Sequence, residues 1–124
     1  MKTYSSKSAK GRLDKLVGSH YRSKPCEKCG STNYVQWVHI RSRKYLSVRW
    51  EETNNLSLCA GCHRWAHDQP DAFTKWIDHK YPGRLDKLNE IFRAKTEMKK
   101  YQMEDLLTRI VTATIIPTKP YKYD

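Results

Sequence analysis

The chain has 124 residues, about one domain's worth, with 38% hydrophobic and 30% charged residues and a formal net charge of +11 at pH 7. No apolar run reaches the ~18 residues of a membrane span, and no apolar stretch follows the basic start MKTYSSKSAKGR as a secretory signal would require, so a cytoplasmic chain is expected. The excess of 24 Lys+Arg over 13 Asp+Glu, with a pI near 9.6, fits a polyanionic partner, most simply DNA.

In chain order, residues 1–10 are Lys- and Ser-rich and read as an arm. In GRLDKLVG, residues 11–18, Leu13, Leu16 and Val17 fall at i, i+3 and i+4, which predicts a short helix stopped by Gly18. Residues 1–24 together form a basic N-terminal arm, with seven Lys/Arg against one acid. Pro25 then leads into CEKCGS, a knuckle shape in which Gly30 supplies a left-handed residue.

From Tyr34 the pattern turns to period two. YVQWVHI is rich in β-branched and aromatic residues and reads as a strand, with Val35, Trp37 and His39 on one face and Tyr34, Gln36 and Val38 on the other. The loop RSRKYLSVRWEETNN follows, with an extended piece expected around Ser47–Trp50. LSLC returns as a short strand, and AGCHRWAHD opens a helix. Beyond it, Asp68 is expected to cap a helix begun by Pro70, with Phe73, Trp76 and Ile77 facing inward. Tyr81-Pro82-Gly83 breaks that helix, residues 84–94 resume it, and a last helix is expected near 102–114. Residues 25–68 thus read as a core, 69–116 as a helical extension and 117–124 as a loose tail.

The four cysteines come as two pairs, Cys26/Cys29 and Cys59/Cys62, separated by 29 residues. In a reducing compartment such pairs favour metal over disulfide, and four thiolates make a closed structural zinc site. His63 and His67 complicate the stretch CAGCHRWAH. Adjacent side chains on a helix diverge by roughly 100°, so one ion cannot easily take Cys62 and His63 together with Cys59 and His67. Two sites fit better. The cysteines close the zinc site, while His63 and His67, at i and i+4 on one helical face, form a half-site for a second divalent cation.

The motifs CEKCG (26–30), VHI (38–40), NNLSLC (54–59) and CHRWAH (62–67) together resemble the zinc-knuckle subgroup of the HNH endonucleases, also called His-Me finger nucleases. A looser likeness, through HIRSR, VRWEETNNL and CHR, extends to the phage recombination nucleases called NinG or Rap. The resemblance implies an α+β fold of the ββα-metal type, plus C-terminal helices, in a bacterial or phage-infected cell. It implies His39 as general base and Asn55 as the asparagine that braces the motif loop and orients that histidine. Asn54 is the competing candidate for the bracing role. His63 and His67 would hold the catalytic cation, Mg²⁺ or Mn²⁺ in use, with Zn²⁺ or Ni²⁺ as other imidazole-compatible ions. Cys26, Cys29, Cys59 and Cys62 would hold the structural zinc. Hydrolysis in the family leaves 5′-phosphate and 3′-hydroxyl ends.

One departure stands out. Many family members carry Asp, Glu or His just before the general base as a further metal ligand, and this chain has Val38. Asp68 or an acid of Glu51-Glu52 would have to substitute. Arg41, Arg43, Lys44 and Arg49, beyond the catalytic strand, are placed to meet DNA phosphates. The leading expectation is a metal-dependent endonuclease acting on duplex or branched DNA, as a homodimer if both strands are cut. The alternatives are a catalytically impaired zinc module that binds nucleic acid, and a protein-interaction adaptor.

Overall fold

The structure, a computed structural model, describes residues 8–113. The first seven residues of the basic arm and the tail 117–124 lie outside the described residues. The architecture is α+β. A two-stranded antiparallel hairpin of β1 (Val35–His39) and β2 (Asn55–Cys59) runs into α3 (Ala60–Asp68), and further helices flank it. These are α1 (Ala9–Arg22) and α2 (Leu46–Arg49) before β2, and α4 (Pro70–Lys80), α5 (Arg84–Ala94) and α6 (Lys100–Ala113) after α3. Hairpin, α3 and a clustered four-cysteine site together form a ββα-metal core with C-terminal helices.

The first helix is longer than its sequence pattern suggested. Ser8 caps it by accepting from the Gly11 N–H at 3.1 Å, and Leu13, Val17 and Tyr21 bury one stripe. Gly18 does not stop it. A Cβ at that position would stand 2.9 Å from Trp37 Cε3 and 2.8 Å from Arg22 Nη1, so the missing side chain is what lets α1 lie against β1.

Pairing runs from Val35 opposite Cys59 to His39 opposite Asn55, with Trp37 opposite Ser57. Alternation puts Trp37 under α1, where the Ser57 hydroxyl also donates to Tyr21 O at 2.6 Å. Val38, Leu56 and Leu58 turn the other way, toward Ala66 of α3 and Ile77 of α4. Both faces of β2 are therefore covered, and Leu56 and Leu58 are fully buried. A second apolar cluster joins Leu13, Val17 and Tyr21 of α1 to Trp50 and to Met103, Leu107 and Ile110 of α6.

The loop between the strands differs from expectation. The piece around Ser47–Trp50 is not extended; α2 covers Leu46–Arg49, and a 3-10 turn follows over Glu52–Asn54. Side chains hold this short helical path. Asn54, fully buried, donates Nδ2 to Val48 O at 2.9 Å and to Arg41 O at 3.2 Å, and accepts from the Arg41 N–H at 2.6 Å. From α5, Arg84 donates Nε to Thr53 O at 2.9 Å and Nη2 to the carbonyls of Glu52 and Asn55 at 2.8 and 2.6 Å. Such bonds add side-chain donors to carbonyls of a path that has little regular structure of its own. Asp68 does not cap α4. It lies in α3, 3.9 Å from Arg64, while Gln69 takes the cap position ahead of Pro70.

Gly18 offers a direct check on the α1–β1 contact. Replacing it with Val gains only a few tenths of a kcal/mol in helix propensity and forces Trp37 aside, an overpacking cost of about 1–3 kcal/mol. Denaturant unfolding should show Gly18→Val to be less stable than wild type; equal stability would mean that α1 does not sit on Trp37.

Candidate functional site

The four thiols converge from three elements. Cys26 and Cys29 lie in the knuckle between α1 and β1, Cys59 ends β2, and Cys62 lies in the first turn of α3. Gly30, at φ 80°, makes the knuckle's tight return, and the Cys29 N–H points at Cys26 Sγ from 3.5 Å. All four sulfur atoms fall within 4.8 Å of one another, with Cys29 and Cys59 at 3.6 Å. Tetrahedral zinc with Zn–S bonds of about 2.3 Å needs sulfurs roughly 3.8 Å apart, so the donor set fits a structural zinc. Burial pushes Cys26 up, but the backbone N–H groups of Cys29, Cys59 and Lys28 outweigh it and bring the thiol down to about 6. Burial and the neighbouring thiols push Cys62 up, so a cation is needed before all four can ionise together.

Glu27 seats this knuckle on the core. Its N–H donates to Ser57 O at 2.8 Å, its Oε2 accepts from the Ser57 N–H, and its Oε1 accepts from the Tyr81 hydroxyl. The Lys80 ammonium donates to the Glu27 carbonyl.

On α3, the helical spacing brings the rings of His63 and His67 to 4.8 Å between centroids, with their Nε2 atoms 3.1 Å apart. Gln36 Oε1 stands 2.6 Å from His63 Nδ1. The amide oxygen only accepts, so His63 carries its proton on Nδ1 and presents the Nε2 lone pair toward His67. His67 answers as an Nε2–H donor in one tautomer. In the other, both lone pairs converge, and with metal–nitrogen bonds of about 2.1 Å that separation subtends about 95° at an ion. Burial and the neighbouring His67 charge lower the His63 pKa, which favours the neutral, ligating form. Among the described residues, the only group of three or more His, Cys, Asp or Glu with converging donor atoms is the four cysteines. Neither Asp68 nor Glu51-Glu52 therefore completes a protein shell around the histidine pair.

His39 lies on the α1 side of the hairpin, opposite Gln36 and Val38, rather than squarely facing the helix pair. Its ring packs on Trp37 at 4.5 Å between centroids, and its Nε2 is 3.0 Å from Arg49 O. A carbonyl only accepts, so Nε2 carries the proton and Nδ1 is left with a lone pair. The two sides meet at the end of β1, where a cavity of about 220 Å³ is bordered by Val38, His39, Ile40, His63, His67 and Phe73. Burial lowers the His39 pKa to about 4, helped by the charges of Arg43 and Arg49 and opposed by the Arg49 carbonyl and Asp14.

The two asparagines divide the work. Asn55 stands opposite His39 in the strand pair, donates Nδ2 to Glu51 O at 2.6 Å and accepts from Trp37 Nε1 at 2.5 Å, so it holds the ring on which His39 packs. Asn54 adds its own bonds to the loop beyond His39, at Arg41 and Val48. Both asparagines thus bond to the loop between the strands.

The four basic residues also separate. Arg49 is 5% exposed and is not placed to meet phosphate: its Nε and Nη2 reach Asp14 Oδ1 and Oδ2 at 2.8 and 2.6 Å, and Nη1 reaches Arg43 O at 3.0 Å. Arg41 is committed as well, to Asn89 Oδ1 at 2.6 Å and to the Phe92 ring at 3.9 Å. Arg43 and Lys44 are exposed. The sequence shows Gln36 only as part of a strand face, shared with Val38, and does not single out Asp14.

Two measurements follow from this geometry. Elemental analysis of purified protein should find one zinc per chain, lost in Cys59→Ser and retained in His63→Ala; loss in His63→Ala would mean that the donors are divided differently. For His39, the folded pKa lies below the ordinary 6.5, so between about pH 4 and 6.5 the unfolded chain binds the extra proton. Stability is then full above pH 6.5 and declines as pH falls toward 4. Unfolding at pH 7.5 and 4.5 should show wild type losing more than His39→Gln, by at most about 3 kcal/mol. An equal loss would place the His39 ring in water.

No family model, curated protein or solved structure gives a significant match to the chain. What stands is a ββα module with a four-cysteine metal site suited to zinc, flanked by a histidine-bordered cavity.

Proposed function

We propose that this module is a metal-dependent phosphodiester hydrolase acting on DNA, of the HNH type that its motifs resemble. The observation that carries the reading is the pairing of tautomers around one cavity. His39 keeps its proton on Nε2 against the Arg49 carbonyl, which leaves Nδ1 to take a proton from water. Across the cavity, Gln36 sets His63 so that its Nε2 lies 3.1 Å from that of His67, a separation that a shared cation would accept. His63 and His67 would hold a divalent cation, which would supply charge neutralisation at the scissile phosphate and at the leaving 3′-oxygen. Val38 offers no ligand, so the remaining positions would fall to water and phosphate oxygens. Arg43 and Lys44 neutralise neighbouring phosphates, and the net charge of +11 draws the polyanion in.

A nucleic-acid-binding module without catalysis is the second reading. Val38 in the position of a ligand favours it, as does the low basicity of the buried His39 ring. Both readings keep the structural zinc, the basic surface and DNA as partner.

A plasmid assay separates them. Wild type with Mg²⁺ or Mn²⁺ should convert supercoiled DNA to nicked or linear forms, and EDTA should stop it. His39→Ala should lower the rate by about 10²–10⁴, the usual worth of a general base. If supercoiled and branched DNA stay intact with every metal while a gel shift persists, the binding module is the correct reading.

A further inference from the structure

The buried ion pair between α1 and α2 has no place in the chemistry described above, yet it ends on the catalytic histidine's hydrogen-bond partner. Asp14 lies on α1, and its carboxylate takes three donors: Arg49 Nε at 2.8 Å, Arg49 Nη2 at 2.6 Å and Trp50 Nε1 at 2.9 Å. The third arm of the same guanidinium, Nη1, holds Arg43 O at 3.0 Å. Arg49 is thereby fixed at both ends, and its own carbonyl accepts from His39 Nε2 at 3.0 Å. The residue links α1, the loop and β1, its own side chain 7% exposed and that of Asp14 26%.

We propose that Asp14 is a positioning residue for His39, acting through Arg49: the forked ion pair holds the Arg49 carbonyl where it selects the Nε2–H tautomer and turns Nδ1 toward the cavity. This rests on the hydrolase reading for its catalytic consequence, but the tautomer itself is independent of that reading. The geometry favours a positioning role over a purely structural one for a simple reason. A fork that joined two helices could end on any backbone group, and here it governs α2, four residues long, whose last residue supplies the carbonyl to His39. A peptide carbonyl at the end of so short a helix has few other restraints, because intrahelical bonds barely begin before they end. The Asp14 charge also opposes those of Arg43 and Arg49 around the ring, so the fork reaches His39 electrostatically as well as geometrically.

The test uses full-length, zinc-loaded protein labelled with ¹⁵N at histidine. Long-range ¹H–¹⁵N spectra of wild type should show His39 as a single Nε2–H tautomer. In Asp14→Asn, which keeps shape and loses the charge fork, His39 should become a mixture of tautomers, and plasmid nicking should lose about 10²-fold in kcat with KM little changed, the scale of a misplaced catalytic group. Arg49→Lys, which keeps the charge and loses the bidentate fork, should behave alike, and Asp14→Glu should recover part of the rate. Zinc content and near-UV circular dichroism identify any variant that has simply failed to fold. A wild-type His39 in the Nδ1–H tautomer overturns the proposal. So does a folded Asp14→Asn with unchanged tautomer and kcat. If wild type nicks nothing yet the tautomer shifts in Asp14→Asn, the hydrolase reading fails and the positioning role stands.

Discussion

Four sulfur atoms within 4.8 Å of one another are the constraint on which the rest of this molecule hangs. Four thiolates so close repel, and four neutral thiols bond weakly, so the cluster becomes strongly cohesive only around a cation. For a donor set of this kind, metal binding energy is folding energy. It joins the knuckle, the end of β2 and the first turn of α3 at the margin of the apolar cluster that Cys26, Leu58 and Ala66 share. His63 follows Cys62 directly on α3, and Gln36 sits one residue along β1 from Val35, the partner of Cys59. The relation between these two side chains is thus set a few ångströms from the sulfurs, before any catalytic cation or substrate is considered.

A second layer of organisation comes from buried polar side chains that serve backbone carbonyls. Asn54, Arg84 and Arg49 together hold the path from Arg41 to Asn55, which has only a four-residue helix and a 3-10 turn of its own. Desolvating two guanidinium groups is costly, and hydrophobic residues of like volume would often be no less stable. What the guanidinium forks contribute is direction. They fix the carbonyls of Arg43, Glu52, Thr53 and Asn55, and the Arg49 backbone between them meets a histidine.

Much of this was legible in the chain. The spacing of Cys26, Cys29, Cys59 and Cys62 announces one site, the alternation of Val35 to His39 announces a strand, and the i, i+4 spacing of His63 and His67 announces a shared face. These are local or repeating signals. The rest depends on contacts between distant residues. Gly18 reads as a helix stop, since nothing nearby in sequence shows that Trp37 will lie on it. Arg49 reads as one more surface cation until Asp14, 35 residues earlier, is found opposite. Asn54 and Asn55 are neighbours with identical side chains, and only the fold shows that one holds the loop at Val48 and the other at Glu51.

Glu27 carries a consequence of another kind. In a two-stranded sheet, β2 has β1 on one edge and would otherwise show the other edge bare. At Ser57 that outer edge is occupied: the Glu27 amide bonds to its carbonyl, and the Glu27 carboxylate accepts its N–H as a neighbouring strand would. An uncovered edge is a template for pairing with other chains. The knuckle that gathers the metal is thus also an edge guard, lodged between two of the cysteines. Stripping the ion frees the guard together with the core, which directs the metal-free chain toward self-association rather than toward a clean, reversible unfolding.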